Sequence, residues 1–392
     1  MTPAARVQSA IELLDRVVDA AKAQGAPADR ILADWFKANR FAGSKDRRAI
    51  RELVFAAIRA CGPVPSSGRA AMLRLAEGDA ALAGLFDGSG YGPAAREPSE
   101  PVAGGGIAPA WIEERLAASD IAGPEAAALL ERAPLDLRVN TLKAERATLA
   151  LPIEAVTTAA PNGLRFAPGT PVEQWDVWRG GLIEVQDTGS QLACLAVGAK
   201  PEETVIDLCA GGGGKTLALA AMMANRGRLI ASDTDRQRLS RLTPRAERAG
   251  ASIIESRLLD PGRETEALAD LAGAADAVLV DAPCSGTGTW RRNPEARWRL
   301  TPATLERLMA AQARLLDVAA GLLRPGGRLV YVVCSLLDEE GAGQFDALLA
   351  RNGNLAAQPV DPPLGQARGQ GIRLTPFRDG TDGFFIARAT FA

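Results

Sequence analysis

Two cysteine-bearing stretches hold the residues best able to do chemistry. Asp281-Ala282-Pro283-Cys284-Ser285-Gly286-Thr287-Gly288 follows the apolar run Ala275–Val280, and Cys334-Ser335 follows Arg328–Val333. Both runs are rich in β-branched residues and read as buried strands. Pro283 has no N–H to donate, so the first strand must end before it. Each thiol then lies at the carboxyl edge of a strand, where open α/β sheets bind ligands. A thiolate is a strong nucleophile, but a free thiol with a pKa of about 8.5 is little ionised at neutral pH. The sequence contains no histidine, which excludes His-based triads and His metal ligands. Any catalysis must use Cys, Asp, Glu, Lys or Tyr. Two thiols facing one pocket beside Asp281 suit covalent catalysis with a nearby proton carrier. Position alone does not decide which thiol attacks.

A second constellation is Cys209-Ala210-Gly211-Gly212-Gly213-Gly214-Lys215-Thr216, directly after the strand-like Thr204–Leu208. Four glycines let the backbone approach a ligand closely and open the next helix. Gly214-Lys215-Thr216 fits the end of a phosphate-binding loop, but the glycine that such a loop needs at its start would fall at Cys209. The other reading is S-adenosylmethionine on a Rossmann-like sheet. There an acidic residue ending the next strand takes the ribose hydroxyls, and Asp233 stands in that place. Asp260, after the third strand, is set to face the adenine edge, and Asp207 to hold the loop or the methionine end. The glycine loop, Asp233 and the two-cysteine edge together favour the second reading.

The elements that must position these residues alternate. Strands are expected at Thr204–Leu208, Arg228–Ser232, Ser252–Ser256, Asp276–Val280 and Arg328–Val333. Helical segments are expected at Thr216–Asn225, Asp235–Gly250, Thr265–Ala272 and Thr301–Leu323. Such alternation implies a mostly parallel sheet covered by helices. Gly371–Leu374 and Phe384–Ala389 are read as a closing hairpin. Upstream, Leu135–Thr141 alternates apolar and polar residues within a small α+β module. Asp187 is placed to cap a helix Thr188–Val197, and Thr2-Pro3 to start the first helix of an N-terminal helical region. That region has a basic segment with Lys37, Arg40, Lys45, Arg47, Arg48, Arg51 and Arg59. A stretch rich in Gly, Pro, Ser and Glu, 88–106, reads as a linker.

Composition narrows the setting. The 392 residues carry a net charge of -2, so a nucleic-acid partner must be met by local basic patches. Arg291, Arg292, Arg297 and Arg299 surround Trp298, a grouping suited to a phosphate backbone and an unstacked base; the plain alternative is a basic loop with a packing Trp. The five cysteines are widely spaced without a CxxC pair, which argues against a disulfide framework and structural zinc. With no signal-peptide pattern and no long apolar stretch, a cytoplasmic protein with reduced thiols is expected. Cys61, Cys194 and Cys209 are read as inert thiols.

The chain resembles the Sun/Fmu-family RNA (cytosine-5) methyltransferases, related to the ribosomal small-subunit methyltransferase B type. The resemblance is carried by Leu137–Lys143, Val185-Gln186-Asp187, Cys209–Thr216, Asp281–Gly288, Arg291–Trp298, Tyr331–Ser335 and Gly380–Ala387. It implies an N-terminal NusB-like helical domain (1–87), a linker (88–106), an RRM-like α+β subdomain (107–178) and a Rossmann-like methyltransferase domain (179–392). It implies a methyl transfer from S-adenosylmethionine to cytosine carbon 5, through a cysteine adduct at carbon 6, with rRNA favoured over tRNA as substrate. By that resemblance Cys334 is the nucleophile and Cys284 assists release, while Asp281 and Lys215 hold the base and order the site. Cys209, Ala210, Gly211, Gly212, Gly213, Gly214, Lys215, Asp233, Asp260 and Asp281 match cofactor contacts. Arg138, Arg291, Arg292, Arg297 and Trp298 are assigned to RNA, with no metal, no membrane and a monomer expected. Gly211-Gly212 where Ala-Pro is usual, Val333 for Thr and Asp338 for Pro depart from the pattern, but none removes a reactive group. The rival readings are a phosphate-loop nucleotide-binding protein and a non-catalytic RNA-binding protein with a relict fold.

Overall fold

The computed structural model describes residues 1–392 and divides into two compact units. The first comprises Met1–Glu131 and Thr289–Thr301, and the second Arg132–Gly288 and Pro302–Ala392.

The first unit is a helical bundle. Helices Pro3–Lys22, Ala28–Ala38, Ser44–Ala60 and Gly68–Ala76 enclose Val7, Leu14, Val17, Leu32, Ile50, Val54, Ile58 and Met72, with apolar residues recurring at helical spacing. The Thr2 hydroxyl accepts from the Ala5 N–H at 3.2 Å, as the sequence implies for an N-cap followed by proline. Gly68 is required by a close crossing: a Cβ there would stand 2.2 Å from the Ile11 carbonyl oxygen. Its N–H donates to Asp15 at 2.6 Å.

Two boundaries differ from those expected. The segment 88–106 is not a free spacer, because Ala103 is buried and its N–H donates to the Ala70 carbonyl. Helices Ala110–Ala118 and Pro124–Ala128 also fall in the first unit. Composition marks this segment as poor in helix and strand formers, but does not show that its backbone groups find partners.

Thr289–Thr301 also belongs to this unit, through the turn Pro294–Arg299. The Arg297 guanidinium donates to the carbonyls of Ile58 (2.7 Å), Cys61 (2.6 Å) and Pro294. Those of Ile58 and Cys61 lie at the end of helix Ser44–Ala60, where carbonyls lack helical partners. Trp298 Nε1 donates to the Gly62 carbonyl at 3.1 Å, and Arg299 to those of Gly25 and Ala26. Glu295 accepts from the Ala28 N–H at 2.9 Å, placing a carboxylate at the start of helix Ala28–Ala38.

The second unit holds two sheets. The smaller is antiparallel, in the order Val156–Thr157, Gly163–Phe166, Leu135–Val139, Ile183–Val185. Its buried Asp136 accepts from Arg165 and from the N–H and hydroxyl of Thr188, joining the sheet to helix Thr188–Val197. Asp187 caps that helix through the Gly189 N–H, as expected.

The larger sheet has a parallel core in the order Leu323–Val333, Ala275–Asp281, Thr204–Asp207, Arg228–Asp233, Ile254–Leu258. Phe384–Phe391 pairs antiparallel with Leu323–Val333, and Gly371–Leu374 pairs with Phe384–Phe391 as the expected hairpin. The third parallel strand starts at Ile254 rather than Ser252, and the helix expected over Asp235–Gly250 is broken into Arg236–Leu239 and Leu242–Ala249. Strand order reverses between Thr204–Asp207 and Ala275–Asp281. The helices after these two strands, Gly214–Met222 and Pro302–Leu322, pack on opposite faces of the sheet, the arrangement that puts ligands at the carboxyl ends in such sheets.

Candidate active site

Register brings the two thiols together. Strands Ala275–Asp281 and Leu323–Val333 are parallel neighbours with Asp281 opposite Val332, and Ala282 N–H continues the ladder to the Val332 carbonyl at 2.9 Å. Cys334 follows Val332 by two residues, and Cys284 follows Asp281 by three across Pro283. The loop after Cys284 is held by the Gly288 N–H, which donates to the Cys334 carbonyl at 3.0 Å. The Sγ atoms are 3.4 Å apart, so a single proton can bridge them. Cys284 is pushed well above the ordinary thiol range, first by its hydrogen bond with Cys334 and then by burial. Both influences favour the protonated form of Cys284.

Lys215 stands in the first turn of helix Gly214–Met222 and donates to Asp281 Oδ2 at 2.7 Å. Burial works to lower the Lys215 pKa, but the Asp281 carboxylate outweighs it and holds the ammonium charged. Nζ also lies 5.6 Å from the centre of the Phe384 ring. The residues expected to be catalytic, Cys284, Cys334, Asp281 and Lys215, thus share one edge of the sheet.

The glycine loop lies beside them. Gly211 and Gly213 have φ of +55° and +84°, values that suit glycine. The Gly211 N–H donates to Asp233 Oδ2, and the Asp235 N–H to Oδ1, both at 2.7 Å. Asp233 thus organises the loop, and each oxygen retains a lone pair for a further donor. Leu259 N–H donates to the Asp233 carbonyl, bringing the exposed Asp260 next to this turn. Asp207 is buried, and its Oδ2 takes the Thr216 hydroxyl at 2.7 Å. Its Oδ1 has no partner, and burial pushes its pKa up to about 7. A glycine turn at a strand end, a carboxylate on the next strand and an unsatisfied buried oxygen between them fit the ribose and aminoacyl ends of S-adenosylmethionine. The phosphate-loop alternative fits poorly, because Lys215 is engaged by Asp281 and the Thr216 hydroxyl by Asp207.

The remaining thiols behave as inert groups. Burial pushes both Cys61 and Cys194 up to about 11, and Cys209 well above its usual range.

The expected RNA contacts require correction. Arg297 is 0% exposed, and Arg291 and Trp298 are buried with it in the first unit. The plain reading of that loop, packing, is the one the structure supports. Arg138 is also buried and donates to Gln186 at 2.7 Å. Of the five, only Arg292 is not fully buried.

One residue escaped the sequence reading. Glu340 is buried beside both cysteine loops and binds Ser285 and Ser335. The only sequence signal is the repeated Cys-Ser pair, which hints that both serines meet a common partner but does not distinguish Glu340 from Glu339. No group of three or more His, Cys, Asp or Glu side chains is arranged to hold a metal, and no helix is long and apolar enough to cross a membrane.

Residues 194–390 match the family model described as 16S rRNA methyltransferase RsmB/F. The ribosomal RNA small subunit methyltransferase B of Xylella fastidiosa is 37% identical over 294 residues, covering 71% of this chain and 66% of that protein. The chain thus spans a little less than two thirds of that relative's length. Among solved structures, a methyltransferase homolog protein from Pyrococcus horikoshii superposes with a TM-score of 0.61 at 27% identity, covering 69% of this chain and 90% of that one. The crystal structure of PH0851 gives a TM-score of 0.79 over 99% of both chains at 24% identity, a likeness of fold.

Proposed function

The chain belongs to the 16S rRNA methyltransferase RsmB/F family, and on that premise we propose that it methylates carbon 5 of an rRNA cytosine through a covalent cysteine adduct. The observation that carries this reading is the thiol pair, 3.4 Å apart, at the sheet edge that also holds the Lys215–Asp281 ion pair.

Cytosine carbon 5 is a weak nucleophile. When the Cys334 thiolate adds to carbon 6, the ring electrons shift to carbon 5 and nitrogen 3 takes up a proton. The Lys215–Asp281 pair supplies that proton, and the Asp281 carboxylate accepts from the exocyclic amine. Bound S-adenosylmethionine supplies an electrophilic methyl group; Cys209–Gly214, Asp233 and Asp260 are the residues to hold it. For release, the carbon 5 proton leaves to water, the carbon 6–sulfur bond breaks and nitrogen 3 returns its proton. Cys284, still a thiol, donates a hydrogen bond to the departing sulfur, so that Cys334 leaves as the thiolate that began the cycle. Its place beside Cys334 supports this division of roles.

The basic helices of the first unit are the better RNA surface. Lys37, Arg40, Lys45, Arg48 and Arg51 are exposed there, beside an exposed Phe41. The test of function is bisulfite sequencing of total RNA from a deletion strain. One small-subunit rRNA cytosine should lose its protection, and complementation should restore it. An rRNA pattern identical to the parent strain overturns the assignment.

A further inference from the structure

Each cysteine is followed by a serine, and both serines turn to one acid. Glu340 is fully buried. Its Oε1 accepts from the Ser285 N–H at 2.8 Å and from Gln312 Nε2 at 3.0 Å. Its Oε2 accepts from the Ser335 hydroxyl at 2.6 Å and from that of Ser285. Gln312 also reaches the Pro283 carbonyl at 2.9 Å, and the Tyr331 hydroxyl donates to the Glu340 carbonyl at 2.6 Å. From these contacts we propose that Glu340 is a positioning residue for the thiol pair. Its carboxylate ties the serine after Cys284 to the serine after Cys334 and so fixes the separation of the sulfurs.

Three observations support this role. All the side-chain partners of Glu340 are neutral donors, so its charge is compensated only by hydrogen bonds, a costly arrangement in a buried site. Burial raises its pKa accordingly, although the Ser285 and Ser335 bonds oppose the rise. Pro283 ends the ladder before Cys284, and the loops are next joined by backbone only at Gly288, with Thr287 on Ser335 and Leu336, so Glu340 is the tie that acts at the residues directly after both thiols. The Glu340 charge also adds to the effects that keep the proton on Cys284, behind those of Cys334 and burial. Glu340 touches neither sulfur by hydrogen bond and acts through the serines.

The role rests on the covalent reading above, but one arm of its test needs neither RNA nor cofactor. The azo oxidant diamide joins two close thiols as a disulfide, itself taking up the two electrons and two protons. In the full-length protein, Glu340→Ala should slow formation of the Cys284–Cys334 disulfide about tenfold, counted by mass spectrometry of alkylated peptides. Glu340→Gln, which can still bridge both serines, should restore the rate to within about threefold of wild type. With unmodified small-subunit rRNA transcript as substrate, Glu340→Ala should lower kcat about tenfold or more and leave KM for S-adenosylmethionine unchanged. A folded Glu340→Ala protein that cross-links at the wild-type rate overturns the proposal, as does a Gln variant as slow as Ala. Should Glu340→Ala fail to fold, Ser285→Ala with Ser335→Ala removes both hydroxyl ties to Glu340, along with the Ser285–Ser335 and Ser335–Thr287 bonds, and an unchanged cross-linking rate there overturns it equally. Methylation that survives Cys334→Ala would sink the covalent reading and leave the cross-linking result standing.

Discussion

Two regions of the molecule bury charged side chains and put them to opposite uses. In the Pro294–Arg299 turn, Arg297, Trp298 and Arg299 donate to backbone carbonyls of the helical unit and Glu295 accepts from a helix N-terminus, while Arg297 Nε and Glu295 Oε2 stay without partners. At the cysteine edge of the second unit the groups keep capacity in reserve. The thiols are hydrogen-bonded to each other, the Lys215–Asp281 pair is partly exposed, and one oxygen of Asp207 is unsatisfied. Side chains spent on backbone groups of a helix end hold a fold together, whereas a lone pair or proton left free beside a glycine loop at a sheet's carboxyl edge can act on a ligand.

The sharpest test of that contrast is at the thiols. Cys334→Ala should lower methyl transfer about a thousandfold or more, with no covalent RNA adduct. Cys284→Ala should leave attack intact and slow release, so the enzyme remains joined to methylated RNA as a retarded band on a denaturing gel. The opposite pattern would exchange the roles.

Asp207 tests the reserve capacity by pH. Its folded pKa of about 7 exceeds its unfolded value of about 3.9. The folded state therefore binds the extra proton between those values, and stability falls as pH rises through this window. Asp207→Asn keeps an acceptor for the Thr216 hydroxyl and removes the titration. Denaturant melts from pH 4 to 7.5 should show wild type losing on the order of 4 kcal/mol relative to the Asn variant. Parallel curves would mean that Asp207 is not protonated in the fold.

The arginine turn should respond in the other direction. Arg297→Met leaves buried carbonyls unpaired and should cost about 3 kcal/mol of stability in urea, with little change in the salt dependence of RNA binding. The triple change Arg40→Ala, Lys45→Ala, Arg48→Ala should do the reverse, lowering the logarithmic salt slope by about 2 with stability almost unchanged. A changed slope in Arg297→Met alone would return that turn to the RNA surface.

The smallest effect is expected at the ribose. Asp233→Ala should weaken S-adenosylmethionine binding by one to two orders of magnitude, or about 1.4–2.8 kcal/mol, by calorimetry. Asp233→Asn, which can still accept from the Gly211 N–H, should recover part of the loss. Unchanged affinity in both variants would move the ribose elsewhere.

The elements and the reactive groups of the site were legible in the sequence because their signals are local. A β-branched run ending at a proline makes a strand end, four glycines make a turn, and an aspartate ending the next strand lies near that turn whatever surrounds it. For the same reason Asp187 and Thr2 could be read as caps. Tertiary structure alone decided where charge was spent. Arg297 and Arg292 differ by five positions and not at all in chemistry. Only packing against the end of helix Ser44–Ala60 makes one a buried clamp. Glu340 and Glu339 are likewise indistinguishable until the chain turns one of them toward Ser285, 55 residues away in sequence. A hydrogen bond depends on position to within a few tenths of an ångström. Residue type limits what a group can bond, and the assembled fold determines which partner arrives.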